Sequence, residues 1–184
     1  MVIPTQLIEH KVIIMMKNIY EMLQDVCSRN KDGIFLVRQN ETYADLLKKV
    51  KQRAVLLAKR FGIKKGDTVA ILSGNTPDFL RSYFAIASQG AQALMLDTGL
   101  NTTEHINMMK RTDCKLVLAQ KSMFIDNAPC EMFDIENIDD TDEQEFAMAE
   151  TERGDIAQLS FTSGSSGNPK VVGLTHENLL SLSD

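Results

Sequence analysis

The chain lacks a long apolar run. Near its start the longest uninterrupted stretch, Val12–Met16, has five residues, too short for a membrane span or the core of a secretory leader. Cysteine is scarce and unpaired in pattern: Cys27, Cys114 and Cys130 are odd in number, and their spacings fit no disulfide framework or zinc motif. Such usage suits a reducing compartment, so a cytoplasmic location is expected. Positive charge is not in excess. Lys and Arg number 20 against 25 Asp and Glu, a net charge of −5, and no basic stripe offers a nucleic acid its footprint. The acidic run Asp139, Asp140, Asp142, Glu143 and Glu145 lacks the glycine and twelve-residue ligand order of a calcium loop, so no metal site is expected. Internal repeats and low-complexity linkers are missing too. What is present is 184 residues at 43% hydrophobic content, enough to bury the core of one ordinary domain.

Strand and helix signals alternate along that length. Ile19, Met22, Leu23, Val26 and Cys27 recur at helical spacing, which makes Cys27 a buried free thiol on an apolar face. Ile34–Arg38 is a short strand. Thr42 with Asp45 three residues on opens a long helix whose stripe, Leu46, Leu47, Val50, Ala54, Leu57, Ala58 and Phe61, closes at Gly62. Lys48, Lys49, Lys51 and Arg53 are assigned to its solvated face. Val69–Leu72 reads as a strand buried on both sides. Thr76 and Pro77 start another helix, stopped by Gly90. Ala91–Leu96, Leu116–Ala119 and Met132–Ile135 are further strands, with a helix of roughly ten residues from Thr103 and an acidic helix or loop over Thr141–Ala149. This alternation predicts an α/β fold, a mostly parallel sheet with helices on both faces.

The sharpest chemistry follows the apolar run Ile156–Phe161. Thr162-Ser163-Gly164-Ser165-Ser166-Gly167-Asn168-Pro169-Lys170 gathers four hydroxyls, two glycines and one lysine in nine residues. Glycines let anionic oxygens approach the backbone, hydroxyls donate hydrogen bonds, and lysine adds a compact positive charge. Together they suit a polyphosphate. The Walker A loop, G-x-x-x-x-G-K-[ST], is the obvious competitor. Pro169 occupies its second glycine position, however, and Val171 replaces the Ser/Thr that would hold Mg²⁺. The flank Lys170-Val171-Val172-Gly173-Leu174 is strand-like rather than helical, and helix signals resume only at Thr175. Strand, hydroxyl-rich loop, strand is the expected order.

Leu159-Ser160-Phe161 leading into this loop, then Leu174-Thr175-His176-Glu177-Asn178-Leu179, resembles the phosphate-loop signature of the adenylate-forming (AMP-binding) superfamily of acyl-CoA synthetases and acyl-AMP ligases. Asn18–Leu23, Thr42-Tyr43-Ala44-Asp45-Leu46, Gly62–Ile71 with its G-[IV]-x-x-G-D-x-V-A-I pattern, and Asn75–Ala87 resemble further segments of that family in order. Lys170-Val171 departs from the common Lys-Gly step, and Asp97-Thr98-Gly99-Leu100-Asn101 from the proline and arginine many relatives carry there. The resemblance implies the first part of the N-terminal domain of an acyl-adenylating enzyme. It also implies conversion of a carboxylic acid and ATP, with Mg²⁺, to acyl-AMP and pyrophosphate, and then transfer of the acyl group to CoA or a carrier thiol. On this view Thr162, Ser163, Gly164, Ser165, Ser166, Gly167 and Lys170 hold the nucleotide's phosphates. His176, after its Thr cap, has a structural role or one in supporting the loop.

Whole members of that family are several times longer. The walls for adenine and ribose and the small C-terminal domain with its catalytic lysine have no counterpart here, so no complete catalytic set is expected and the chain alone is expected to be inactive. The expected organisation is an extension over residues 1–17, then a partial adenylation domain over 18–184. It is read as a fragment of a longer ligase, because Glu177–Leu182 looks like a helix still in progress; the alternative is a natural short non-catalytic nucleotide-binding or assembly module. Strands left without partners would favour homodimers through the open sheet edge or an apolar helix face.

Overall fold

A computed structural model describes residues 15–137, 141–162 and 170–183. Local signals fix the helix ends. Asn18 caps α1 (Ile19–Arg29), its Oδ1 accepting the Glu21 N–H at 2.8 Å. On α2 (Tyr43–Phe61), Thr42 Oγ1 accepts the Asp45 N–H at 3.1 Å and Asp45 Oδ2 accepts the Thr42 N–H at 2.9 Å, the reciprocal box expected of that spacing. Gly62 ends the helix at φ 63°, where a side chain would be strained. Thr76 and Pro77 open α3 (Pro77–Ser88). Asn101 with Glu104 boxes α4 (Thr102–Arg111), and Thr175 with Asn178 boxes α5 (His176–Leu180).

Two short strands, β1 (Ile34–Leu36) and β2 (Glu41–Thr42), form an antiparallel hairpin ahead of α2. The main sheet contains β3 (Thr68–Leu72), β4 (Gln92–Met95), β5 (Cys114–Ala119), β6 (Glu131–Asp134), β7 (Ile156–Thr162) and β8 (Lys170–Thr175), in the order β6-β5-β3-β4-β7-β8. All pairings are parallel except β7 with β8. The step from β3 to β4 runs one way across the sheet, and the step from β4 to β5 runs back past β3. Right-handed connections therefore put α3 and α4 on opposite faces. On one face Val69, Ile71, Leu116 and Leu118 pack with Leu23, Leu46, Leu57 and Ile86 of α1, α2 and α3. On the other, Ala70, Leu72, Leu94 and Val117 pack with Met108 and Met109 of α4. Helices thus cover both faces, as the alternation predicted.

The segment 141–155 contains only a 3₁₀ turn, Glu143–Glu145, rather than an acidic helix. Arg53 corrects the assignment of the basic residues of α2 to solvent. It is 2% exposed, because it sits seven residues after Leu46 and three after Val50, on the inward stripe itself. Its guanidinium donates to the Asp78 carbonyl at 2.8 Å, the Ile135 carbonyl at 2.7 Å, Asp78 Oδ1 at 3.2 Å and the Ser82 hydroxyl. Both terminal nitrogens of the guanidinium thus meet oxygens, the condition for burying a charge at all.

Candidate functional site

The parallel strands all end at one edge of the sheet, the edge where open α/β sheets bind ligands. At that edge Gly74, after β3, donates its N–H to Gln120 Oε1 at 2.9 Å, and Gln120 donates in turn to Glu136 Oε1 at 3.1 Å. This polar chain links the ends of β3, β5 and β6. It joins residues far apart in sequence, so no local motif announced it.

β7 lies inside the sheet beside β4, Ala93 pairing with Gln158 and Leu94 with Leu159. Tyr83 of α3 fixes it from one face by donating its hydroxyl to Gln158 Oε1 at 2.9 Å. Burial pushes the Tyr83 phenol up to about 12, so the donor keeps its proton at any ordinary pH. Phe161 packs on the opposite face, with the Arg111 guanidinium 5.2 Å from its ring centre. β7 then delivers Thr162 to the open edge, and the antiparallel β8 leaves from Lys170 directly opposite. Register partners on such strands have Cα atoms about 5 Å apart. Thr162 and Lys170 are both exposed, and as register partners they project from the same face where β7 ends and β8 begins. Ser163, Gly164, Ser165, Ser166 and Gly167 lie outside the described residues. Lys170 opens a strand, not a helix, and the next helix begins only at His176. The Walker alternative is thereby excluded on topology.

A groove of about 400 Å³ adjoins Thr162. Met95, Leu100, Met108 and Phe161 form its apolar wall, and Asp97 and Glu104 its acidic rim. Both carboxylates have local duties: Asp97 Oδ1 accepts the Gly99 N–H at 2.8 Å, and Glu104 Oε2 the Asn101 N–H at 2.9 Å. The segment after β4 is also held by buried His105, whose Nε2 lies 2.8 Å from the Asp97 carbonyl. Among the described residues no group of three or more His, Cys, Asp or Glu could hold a metal ion.

His176 is far from this edge. Lys170 and Thr175 are the two ends of a six-residue strand, about 16 Å apart at ~3.3 Å per residue. His176 instead sits buried at the opposite end, its Nδ1 accepting the Ile19 N–H at 3.4 Å. Its role is structural, pinning α5 to α1.

Comparison with known proteins agrees with this geometry. The model of a family described as AMP-binding enzyme matches residues 23–184. A 2-succinylbenzoate–CoA ligase of Bacillus velezensis is 30% identical over 156 residues, covering 80% of this chain and 31% of the relative. A 4-coumarate–CoA ligase of Petroselinum crispum is 26% identical over 137 residues, covering 66% and 25% respectively. The chain thus spans between a quarter and a third of the length of these curated relatives. The N-terminal subdomain of Klebsiella oxytoca NpsA superposes with a TM-score of 0.80 at 19% identity, over 91% of this chain and 44% of that one. That likeness establishes the fold. Among the described residues no helix is long and apolar enough to cross a membrane. With its strand–loop–strand at the carboxyl edge of a parallel sheet, and the family match over nearly its whole length, the chain belongs to the AMP-binding enzyme family.

Proposed function

We propose that this chain is the triphosphate-gripping part of a cytoplasmic ligase. The ligase activates a carboxylic acid with MgATP as an acyl-adenylate and then passes the acyl group to CoA or a carrier thiol. One observation carries the reading: Thr162 and Lys170 face each other at the base of a glycine-serine loop at the open sheet edge. The names of the relatives, ligases of 4-coumarate and 2-succinylbenzoate with CoA, support carboxylate and thiol as substrates. In the reaction a carboxylate oxygen bonds to the α-phosphorus as the bond to the bridging oxygen breaks, and pyrophosphate leaves with its Mg²⁺. The Lys170 ammonium and the hydroxyls of Thr162, Ser163, Ser165 and Ser166 offset charge growing on the β- and γ-phosphates, while Gly164 and Gly167 let the loop close on them. These groups bind and neutralise; none of them transfers the acyl group. The 184 residues alone grip ATP weakly and do not turn over, since phosphate contacts without base and ribose walls leave most of the ligand in water. Self-association through the outer edge of β8 is part of the same reading, supported by exposed Val171 and Val172.

Phosphorus NMR of MgATP titrated with the chain tests the grip. The β- and γ-phosphate signals are expected to shift with millimolar-range affinity and no pyrophosphate release, and Lys170→Ala is expected to weaken binding roughly tenfold. An unchanged affinity in Lys170→Ala would overturn the assignment, and low-micromolar affinity or pyrophosphate release would overturn the predicted inactivity.

A further inference from the structure

Cys114 opens β5 and Cys130 stands one residue before β6, at the sheet edge opposite the phosphate loop. Spacing alone keeps them apart, because in a regular strand Cys114 would share the face of Leu116, which packs beneath α2 and α3. The backbone does otherwise. The β3–β5 ladder pairs Thr68 with Cys114 and Val69 with Leu116, so Lys115 is an extra, exposed residue. Such a bulge resets the alternation of side chains. Cys114 consequently faces the α4 side and is buried with Ala70, Met108 and Val117. Cys130, in step with Met132, packs against the same cluster.

The distance is right as well. The β5–β6 ladder begins at Leu116 with Glu131, which places Cys130 beside Lys115 and one step from Cys114. Strand spacing of ~4.8 Å with ~3.3 Å rise per residue gives a Cα separation of about 6 Å, inside the range a disulfide spans. Cys114 Sγ donates to the Leu116 carbonyl at 3.2 Å, which holds the thiol at this end of β5. We propose that Cys114 and Cys130 are a reversible dithiol–disulfide couple stapling β5 to β6, oxidised by hydrogen peroxide and reduced by small-molecule thiols. The inference stands apart from the ligase reading.

Cys130 is the attacking sulfur, being half-buried where Cys114 is only 8% exposed. Its thiol is also lowered from the ordinary value by neighbouring Cys114, while Cys114 is raised by Cys130 and by burial. The Cys130 thiolate forms a bond to a peroxide oxygen as the O–O bond breaks, and hydroxide leaves to become water. The Cys114 sulfur, giving up its proton, then attacks the resulting sulfenic sulfur; an S–S bond forms, the S–O bond breaks and a second water leaves. The two sulfurs lose two electrons and the peroxide gains them. Cys27 is an internal control: it is 1% exposed, and burial pushes its thiol up to about 11.

The full chain treated with hydrogen peroxide, unfolded, alkylated and examined by mass spectrometry decides the matter. The expected result is one alkyl label where the reduced chain takes three, carried by Cys27, a peptide linking Cys114 to Cys130, and return of all three thiols with dithiothreitol. In Cys130→Ser and Cys114→Ala no intramolecular link is expected. A sulfinic acid at Cys130 beside a free Cys114 thiol, a link between chains, or an unreacted wild-type chain would each overturn the proposal.

Discussion

Arg53 shows how one residue can be placed by its spacing and disguised by its charge. Its position in the α2 stripe puts the guanidinium between α2, α3 and the end of β6, where burial lowers its pKa to about 10 against the pull of Asp78. Around it Arg81 bridges Asp78 and buried Glu41, which also receives Lys49 at 2.7 Å. Removing Arg53 leaves the half-buried Asp78 short of a partner and an unfilled space beside buried Arg81 and Glu41. Arg53→Ala should therefore cost about 3–5 kcal/mol, read as a drop in urea midpoint, whereas Arg53→Met, which keeps most of the packed volume, should recover part of the loss. Equal stability of Arg53→Ala and wild type would show that the cluster contributes nothing. The sequence allowed this residue two readings, and composition favoured the wrong one.

At the scale of elements, α1 and α5 come from opposite ends of the chain and meet through His176. The loop before β7 joins them: Arg153 donates to the Met16 carbonyl at 2.8 Å, and the His176 N–H donates to the Asp155 carbonyl at 3.1 Å. Because Nδ1 accepts the Ile19 N–H, the neutral His176 ring carries its hydrogen on Nε2, which is buried without a partner among the described residues. A second proton has to go on Nδ1, at the expense of that hydrogen bond and in a place with little solvation. Burial holds its pKa below the ordinary value, outweighing the attraction of Asp155, and Lys65 adds to the depression. The unfolded chain then binds the proton more readily, and stability falls as pH drops below about 6.5. Above that value the contribution is complete. In His176→Gln this part of the acid limb should flatten when urea midpoints are compared between about pH 5 and 8; identical pH profiles would count against it. Helix boundaries were the most legible features, because Thr42 with Asp45, Gly62, and Thr76 with Pro77 act within a few residues of themselves. The β1–β2 hairpin and the bulge at Lys115 were not legible, since both are defined by pairing with distant strands. The same division runs through the candidate site. Thr162 and Lys170 belong to a contiguous motif, whereas Gly74, Gln120 and Glu136 meet only once the sheet has assembled.

For the whole molecule, the uncovered margin of the sheet matters most. β6 closes one side with four residues, but β8 presents six, with Val171 37% and Val172 39% exposed and no strand on its outer edge among the described residues. Unpaired N–H and C=O groups beside apolar side chains invite another strand. Sedimentation should show association that grows with protein concentration, reduced in Val172→Lys; a single monomeric species at high concentration would refute it. The direction of β8 has one more consequence. Because it turns back rather than opening a helix, the loop has no helix dipole of its own behind it. The N-terminus of α4, which does reach this edge, already has its Asn101 cap and the negative Glu104 in its first turn. In the proposed grip, attraction for a polyphosphate would thus rest on the exposed Lys170 and on hydrogen-bond donors, and counter-ions reach an exposed charge freely. Raising the ionic strength would loosen this hold sooner than that of a loop anchored on a helix.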